Sequence, residues 1–263
     1  DSSLVTALAS RSSKNLKTYS ITFPEFSEIN EEKYSSLIAK SFNTNHRNIE
    51  LESSHFEILL EVLSNVDEPI GDSSLLACWF LSKKISEECK VSISGDGADE
   101  LFAGYKHYRR LYYFHKINQI TPKKVNSILK KIFYKHFSFG KRGKGIIDLL
   151  NTNLDQIIPS SSLFFENSQQ EMLCPILRNI SIEKNYLFKQ DKNLDIIQNL
   201  TIIDFKNYML NDILVKIDMT SMLNSVELRS PFLDYRIMNF AFNEVPSFLK
   251  LNKNKPKYLL KKL

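Results

Sequence analysis

Three carboxylates fall within five residues of the segment Ser94-Gly95-Asp96-Gly97-Ala98-Asp99-Glu100. Like charges this close repel each other unless a cation neutralises them. Magnesium suits that task, because it binds through one or two carboxylates together with substrate phosphates. The segment follows the apolar run Val91-Ser92-Ile93 and opens a helical pattern. In open α/β sheets ligands bind beyond the carboxyl ends of strands, so a site belongs here. Gly95 and Gly97 let the backbone approach a ligand closely. The same residues also read as a capped helix start, where acidic side chains favour the first turn. On these residues alone both readings stay open.

Other segments carry weaker signals. Asp1-Ser2-Ser3 stands before an apolar helical pattern and reads as a helix cap. In Leu214-Val215-Lys216-Ile217-Asp218, Lys216 can pair with an acid, reach a phosphate or lie on the surface. Arg229, in Glu227-Leu228-Arg229-Ser230-Pro231-Phe232-Leu233-Asp234, can grip a carboxylate through two nitrogens or serve the structure alone. Asp234 reads as the cap of the next helix. The tail from Asn254 to Lys261 reads as the start of an amphipathic basic helix.

The elements that must position these groups follow from pattern. Helices are expected over 2–11, 30–42, 54–66, 73–88, 202–226 and 234–243, and strands over 17–23, 47–51 and 90–94. Strands alternating with helices imply βαβ units and a parallel sheet. Residues 105–200 show helical stretches and loops without a clear strand, and the glycine-rich basic stretch 140–145 reads as an exposed loop. The expected division is therefore an α/β part over 1–105 and a mainly helical part over 106–263.

Composition narrows the class. The chain has 263 residues, 43% hydrophobic and 25% charged, as expected of a globular protein of one large or two small domains. No apolar run approaches the about 18 residues of a membrane span. Cys78, Cys89 and Cys174 form no CxxC pair, which excludes a zinc ribbon and fits a reducing, cytoplasmic setting. The five histidines show no metal-ligand spacing. Between Phe102 and Ile147 there is no Asp or Glu, but twelve Lys and Arg. Such a stretch attracts phosphates or forms a solvated helix face.

Taken together, four blocks resemble the synthetase domain of glutamine-dependent asparagine synthetases. They are VSISGDGADELFAGYKHY (91–108), DEPIGDSSLLACWFLSKK (67–84), YMLNDILVKIDMTSMLNSVELRSPFLDYR (208–236) and PKYLLKK (256–262). They fall in the family's order along the whole chain, and residues 106–205 carry little of the likeness. The resemblance implies an adenine-nucleotide-hydrolase-like, PP-loop ATP pyrophosphatase sheet followed by a helical layer, with the α/β part over 1–105 nucleotide-binding. It also matches Asp1-Ser2 to the end of the family's Ser-Gly-Gly-x-Asp-Ser pyrophosphate loop. On that match the preceding strand, the Ser-Gly-Gly and an N-terminal glutaminase domain are not in this chain, and the chain alone is expected to be a poor catalyst.

The implied reaction has two steps. Aspartate attacks the α-phosphorus of ATP, giving β-aspartyl-AMP and pyrophosphate, and ammonia derived from glutamine then displaces AMP to give asparagine. The resemblance implies ATP and magnesium as the small molecules, with Asp1 and Asp99 as the metal carboxylates. Asp1, Ser2, Ile21, Ser94, Gly95, Lys216 and Lys257 match nucleotide-binding positions. Asp96, Glu100 and Lys257 match catalytic ones, with Asp96 taking a proton from the attacking nitrogen and Lys257 balancing phosphate charge. Asp218 and Arg229 match substrate-binding positions. Expected partners are the small substrates, the glutaminase domain and a second copy of the chain, with no membrane and no nucleic acid. Motifs around ATP do not read the acceptor, so a ligase acting on a sugar or peptide carboxylate is the alternative. An RNA-modifying adenylating enzyme and a non-catalytic nucleotide-binding remnant are further readings.

Overall fold

The computed structural model describes residues 1–26, 28–68, 70–122, 125, 128, 132, 191–253 and 255–263. The loop expected at 140–145 and the basic stretch beyond 132 lie outside the described residues. In chain order the main elements are α1 (Ser2–Ser10), β1 (Lys17–Thr22), α2 (Glu32–Phe42), β2 (Asn45–Glu50), α3 (Leu59–Ser64), α4 (Leu75–Ser86) and β3 (Val91–Ile93). Then come α5 (Ala98–Phe102), α6 (Lys106–Ile120), α7 (Ile196–Asp204), α8 (Leu214–Met222) and β4 (Glu227–Arg229). No described helix is long and apolar enough to cross a membrane.

The chain forms two compact units, which cross the division expected near residue 105. The first comprises Asp1–Ala98 and Met209–Met238, the second Asp99–Tyr208 and Asn239–Leu263. The segment that returns to the first unit brings α8 and β4. Three residues of β4 are too few for a period-2 pattern, so this strand was not expected. Its parallel partner β3 supplies the order, in the register Val91↔Glu227 to Ile93↔Arg229.

Elsewhere in the first unit, β1 and β2 pair in parallel from Lys17↔Asn45 to Thr22↔Glu50, with α2 between them in the chain. The α/β class is thus observed, in two separate two-stranded parallel sheets. β2 begins two residues before the expected strand. Its polar start is held by side chains, since Thr18 Oγ1 lies 2.9 Å from His46 Nδ1 and Ser20 Oγ 2.9 Å from Asn48 Oδ1. The expected helix over 54–66 is a 3-10 turn, Ser53–Ile58, followed by α3. Val62, Leu75, Leu76 and Trp79 make the buried core between α3 and α4.

In the second unit α6 and α7 share a core of Ala103, Tyr108, Leu111, Ile196, Ile197, Leu200, Ile203 and Leu251. The helix expected from 202 starts earlier, at Ile196. Asp195 accepts from the amides of Ile197 and Gln198, and the Gln198 side chain accepts from the Asp195 amide, a reciprocal cap. A π-helical stretch, Phe205–Ile213, separates α7 from α8. The tail is not the expected helix start. Leu251–Asn252 pairs with Lys255–Pro256 as a short antiparallel hairpin, and turns follow.

Lys250, just before that hairpin, has no exposed surface and no hydrogen-bond partner for Nζ among the described residues. Its ammonium lies 5.3 Å from the Phe242 ring. Burial pulls its pKa down to about 8, against the attraction of Asp195. An unfolded lysine titrates near about 10.4, so below pH 8 both states are charged and the full burial penalty applies. Between those values the folded state sheds its proton first, and stability rises with pH. Lys250→Met is expected to stabilise the protein at pH 7 by up to about 3 kcal/mol and to abolish the rise. Urea unfolding at pH 7 and at alkaline pH checks both.

Candidate functional site

The first unit builds the glycine turn from β3 and β4. The Ser94 amide donates to the Arg229 carbonyl at 2.9 Å, extending the strand pair by one bond. Ser94 Oγ lies 2.8 Å from Ser230 Oγ. Gly97 has φ +92°, and a side chain there would run into Leu233. Gly95 matters for a different reason. A Cβ at this position would sit 2.7 Å from the Ser2 nitrogen and 3.1 Å from the Asp1 Cβ. The turn therefore packs directly on the N-terminus of α1, where backbone N–H groups point outward and favour an anion. Asp1 occupies the capping position as expected, yet its side chain makes no capping bond; its carbonyl accepts from Val5 at 3.0 Å. Asp96 is half-buried at the same turn, and Ile21 lies on β1 opposite Ile49.

Lys216 is neither on the surface nor free. It is buried on α8 and its ammonium is bonded to Asp72, at the start of α4. Asp72 also accepts from the Ser74 amide at 2.7 Å and hydroxyl at 2.8 Å. Burial would raise the Asp72 pKa, but the bonds from Lys216 and Ser74 hold it below the ordinary value. Asp212 is pushed up by its own burial and by repulsion from Asp72, against Lys216. Its Oδ1 has no hydrogen-bond partner among the described residues. The Cys78 thiol is raised, chiefly by burial, with Asp96 and Asp72 adding and Lys216 opposing. A raised thiol is a poor nucleophile. The exposed Asp218 lines a cavity of about 400 Å³ with Leu214, Ser221, Leu228 and Ser230. Arg229 does not grip a carboxylate with two nitrogens: its exposed side chain reaches Glu227 through Nε alone, at 2.8 Å. Asp234 does cap the following turn, accepting from the Arg236 amide at 2.9 Å.

The second unit holds the other predicted residues. Lys257 Nζ lies 2.7 Å from Asp99 Oδ1. Gly104 makes this pair possible, since a Cβ there would overlap both the Asp99 carboxylate and the Lys257 side chain. Lys257 itself sits at φ +50° and Ala103 at φ +54°. A non-glycine residue in this region costs roughly 1–2 kcal/mol, so the packing must hold it there. Glu100 is only 1% exposed and its carboxylate takes the Tyr105 hydroxyl. Burial pushes Glu100 up to about 7; the Tyr105 bond opposes this, and Asp99 and Asp204 add to it.

Among the described residues no group of three or more His, Cys, Asp and Glu is gathered to cage a metal. Asp1 and Asp99 offer hard oxygen donors, the type magnesium takes when phosphates complete its shell.

The sequence profile described as asparagine synthase matches residues 1–263. The chain belongs to the asparagine synthase family. It is 30% identical over 271 residues to asparagine synthetase [glutamine-hydrolyzing] 1 of Bacillus subtilis, covering all of this chain and 42% of that protein. A putative asparagine synthetase [glutamine-hydrolyzing] of Mycobacterium tuberculosis is 29% identical over 268 residues, with 100% and 40% covered. A putative one from Methanocaldococcus jannaschii is 29% identical over 225 residues, with 82% and 42% covered. The chain thus spans about two fifths of the length of these relatives.

Several neighbours of the site residues were not among the candidates read from the sequence. Asp72 had a usable signal, since Asp72-Ser73-Ser74 repeats the Asp1-Ser2-Ser3 pattern before an apolar helix. Asp212 and Gly104 had none, because each depends on contacts made only on folding. The Lys216 pair gives a test of local energetics. Asp72→Ala leaves a buried ammonium without its counter-ion and should cost about 3–5 kcal/mol. Asp72→Ala with Lys216→Met should recover most of that loss in denaturant midpoints; a double variant as unstable as Asp72→Ala would contradict the pair's role.

Proposed function

We propose that the protein performs the ATP-dependent half of asparagine synthesis, on a nucleotide-binding unit of PP-loop ATP pyrophosphatase type. The aspartate side-chain carboxylate attacks the α-phosphorus of ATP. A phosphorus–oxygen bond breaks, pyrophosphate leaves and β-aspartyl-AMP forms. Ammonia then attacks the acyl carbon, the bond to AMP breaks and asparagine results. In this reading the nitrogen is released from glutamine by a domain outside this chain, and the setting is cytoplasmic.

The chain's own residues divide the work. Ser94 and Gly95 form the turn that receives the adenosine, with Ile21 lining the base and Asp1 and Ser2 facing the phosphates. Lys257 offsets charge on the phosphates as the leaving group departs. Asp96 takes the proton that the attacking nitrogen must lose. Asp1 and Asp99 are the carboxylates for magnesium, which when bound would offset charge on the pyrophosphate oxygens. Asp218 and Arg229 are kept for the amino acid by resemblance alone. Glu100, buried and bonded to Tyr105, fits a supporting part better than contact with substrate.

The observation that carries the reading is the Asp99–Lys257 pair at 2.7 Å. Two residues from opposite ends of the motif set meet, with Gly104 leaving the room they need. Pairing orients Lys257 before any phosphate arrives. In the intact protein supplied with aspartate, ATP, magnesium and ammonium, Lys257→Met should lower AMP and asparagine formation by about 10²–10³-fold. Product analysis across carboxylate acceptors checks the substrate. Unchanged AMP formation in Lys257→Met, or amidation of another acid in preference to aspartate, would contradict the proposal.

A further inference from the structure

We propose that Tyr105 is a positioning residue for Asp99, acting through Glu100. The inference rests on the proposed role of Asp99 and adds a residue to it. α5 has only five residues, too few to hold its own orientation in water. Something outside the helix must fix its rotation. Glu100 and Asp99 are successive residues, so they project about 100° apart around the helix axis. Whatever clamps Glu100 therefore sets the direction of Asp99.

Tyr105 supplies that clamp. Its hydroxyl donates to Glu100 Oε1, and Glu100 lies in the interior, where an unpaired carboxyl would be costly. The Tyr105 ring is itself fixed on several sides. It stacks on His107 at 5.3 Å, tilts against Tyr108 at 5.7 Å and meets Tyr208 edge-on at 5.8 Å. His107 is anchored in turn by Asp204, with Nε2 2.6 Å from Oδ2. The same strand of chain is pinned at Gly104, whose amide donates to the Asp99 carbonyl at 2.8 Å. An ordered aromatic block thus stands behind a short helix whose outer carboxylate pairs with Lys257.

Two readouts on the intact protein test this. The first is amide hydrogen exchange at Gly104, which reports how firmly the turn below Asp99 is held. The second is the affinity for a fluorescent ATP analogue with magnesium and in EDTA. Tyr105→Phe keeps the ring packing and removes only the hydroxyl. It should speed Gly104 exchange and weaken the magnesium-dependent affinity about tenfold, as loss of a ligand-orienting partner does. The EDTA affinity should stay within about twofold. Glu100→Leu should move both readouts the same way, and the double variant should go no further, because the two residues act as one unit. Equal loss with and without magnesium would mark a merely structural role and overturn the proposal, as would unchanged Gly104 exchange. If the parent protein shows no magnesium-dependent nucleotide binding, the proposed function fails; exchange at Gly104 still decides whether Tyr105 holds the helix.

Discussion

Repulsion between Asp99 and Glu100, within a run of three carboxylates that starts at Asp96, is the constraint that the surrounding structure answers. Each carboxylate is handled separately. Glu100 is turned into the interior, where a hydroxyl meets it and burial raises its pKa. Asp99 is matched by the ammonium of Lys257. Asp96 stays half-buried on the turn, in the unit where Lys216 and Asp72 form a buried pair of their own. Buried or crowded carboxylates are kept in a folded protein only with such outlets, as Glu100 and Asp99 show.

The second theme is room and strain. Gly95, Gly97 and Gly104 each stand where another atom occupies the space of a Cβ. Ala103 is the exception. It is an alanine that adopts φ +54°. Its methyl group is fully buried with the α6–α7 core. Burial there offsets part of the backbone strain; of the five non-glycine residues at positive φ among the described residues, Lys257 is itself a member of the Asp99–Lys257 pair and Ala103 adjoins Gly104.

Much of this was legible in the residues. The parallel pairing of β1 with β2 follows from two strand patterns on either side of an amphipathic helix, though only β1 is rich in β-branched residues, and the strand–turn–helix around Ser94 follows from the glycine spacing. The family was legible because four separated blocks carry chemistry-bearing residues in order. What stayed hidden depends on distant partners. β4 is three residues long and exists because β3 is beside it. Lys216 could pair with an acid, reach a phosphate or lie on the surface; the first is observed, but nothing local announces that Asp72 is the partner. The tail looked helical because Lys, Tyr and Leu alternate suitably, yet Lys257 takes a left-handed conformation that only its tertiary setting supports. The early start of α7 was missed although its signal, Asp195 with Gln198 three residues on, is local.

The most direct measurement replaces magnesium with paramagnetic manganese in the intact protein and follows its uptake by electron paramagnetic resonance as ATP is added. Manganese takes the same hard oxygen donors. The account predicts tight, ATP-dependent uptake that falls by about tenfold or more in Asp99→Asn. Manganese uptake that is indifferent to Asp99→Asn would contradict the claim that this carboxylate is held ready for a metal.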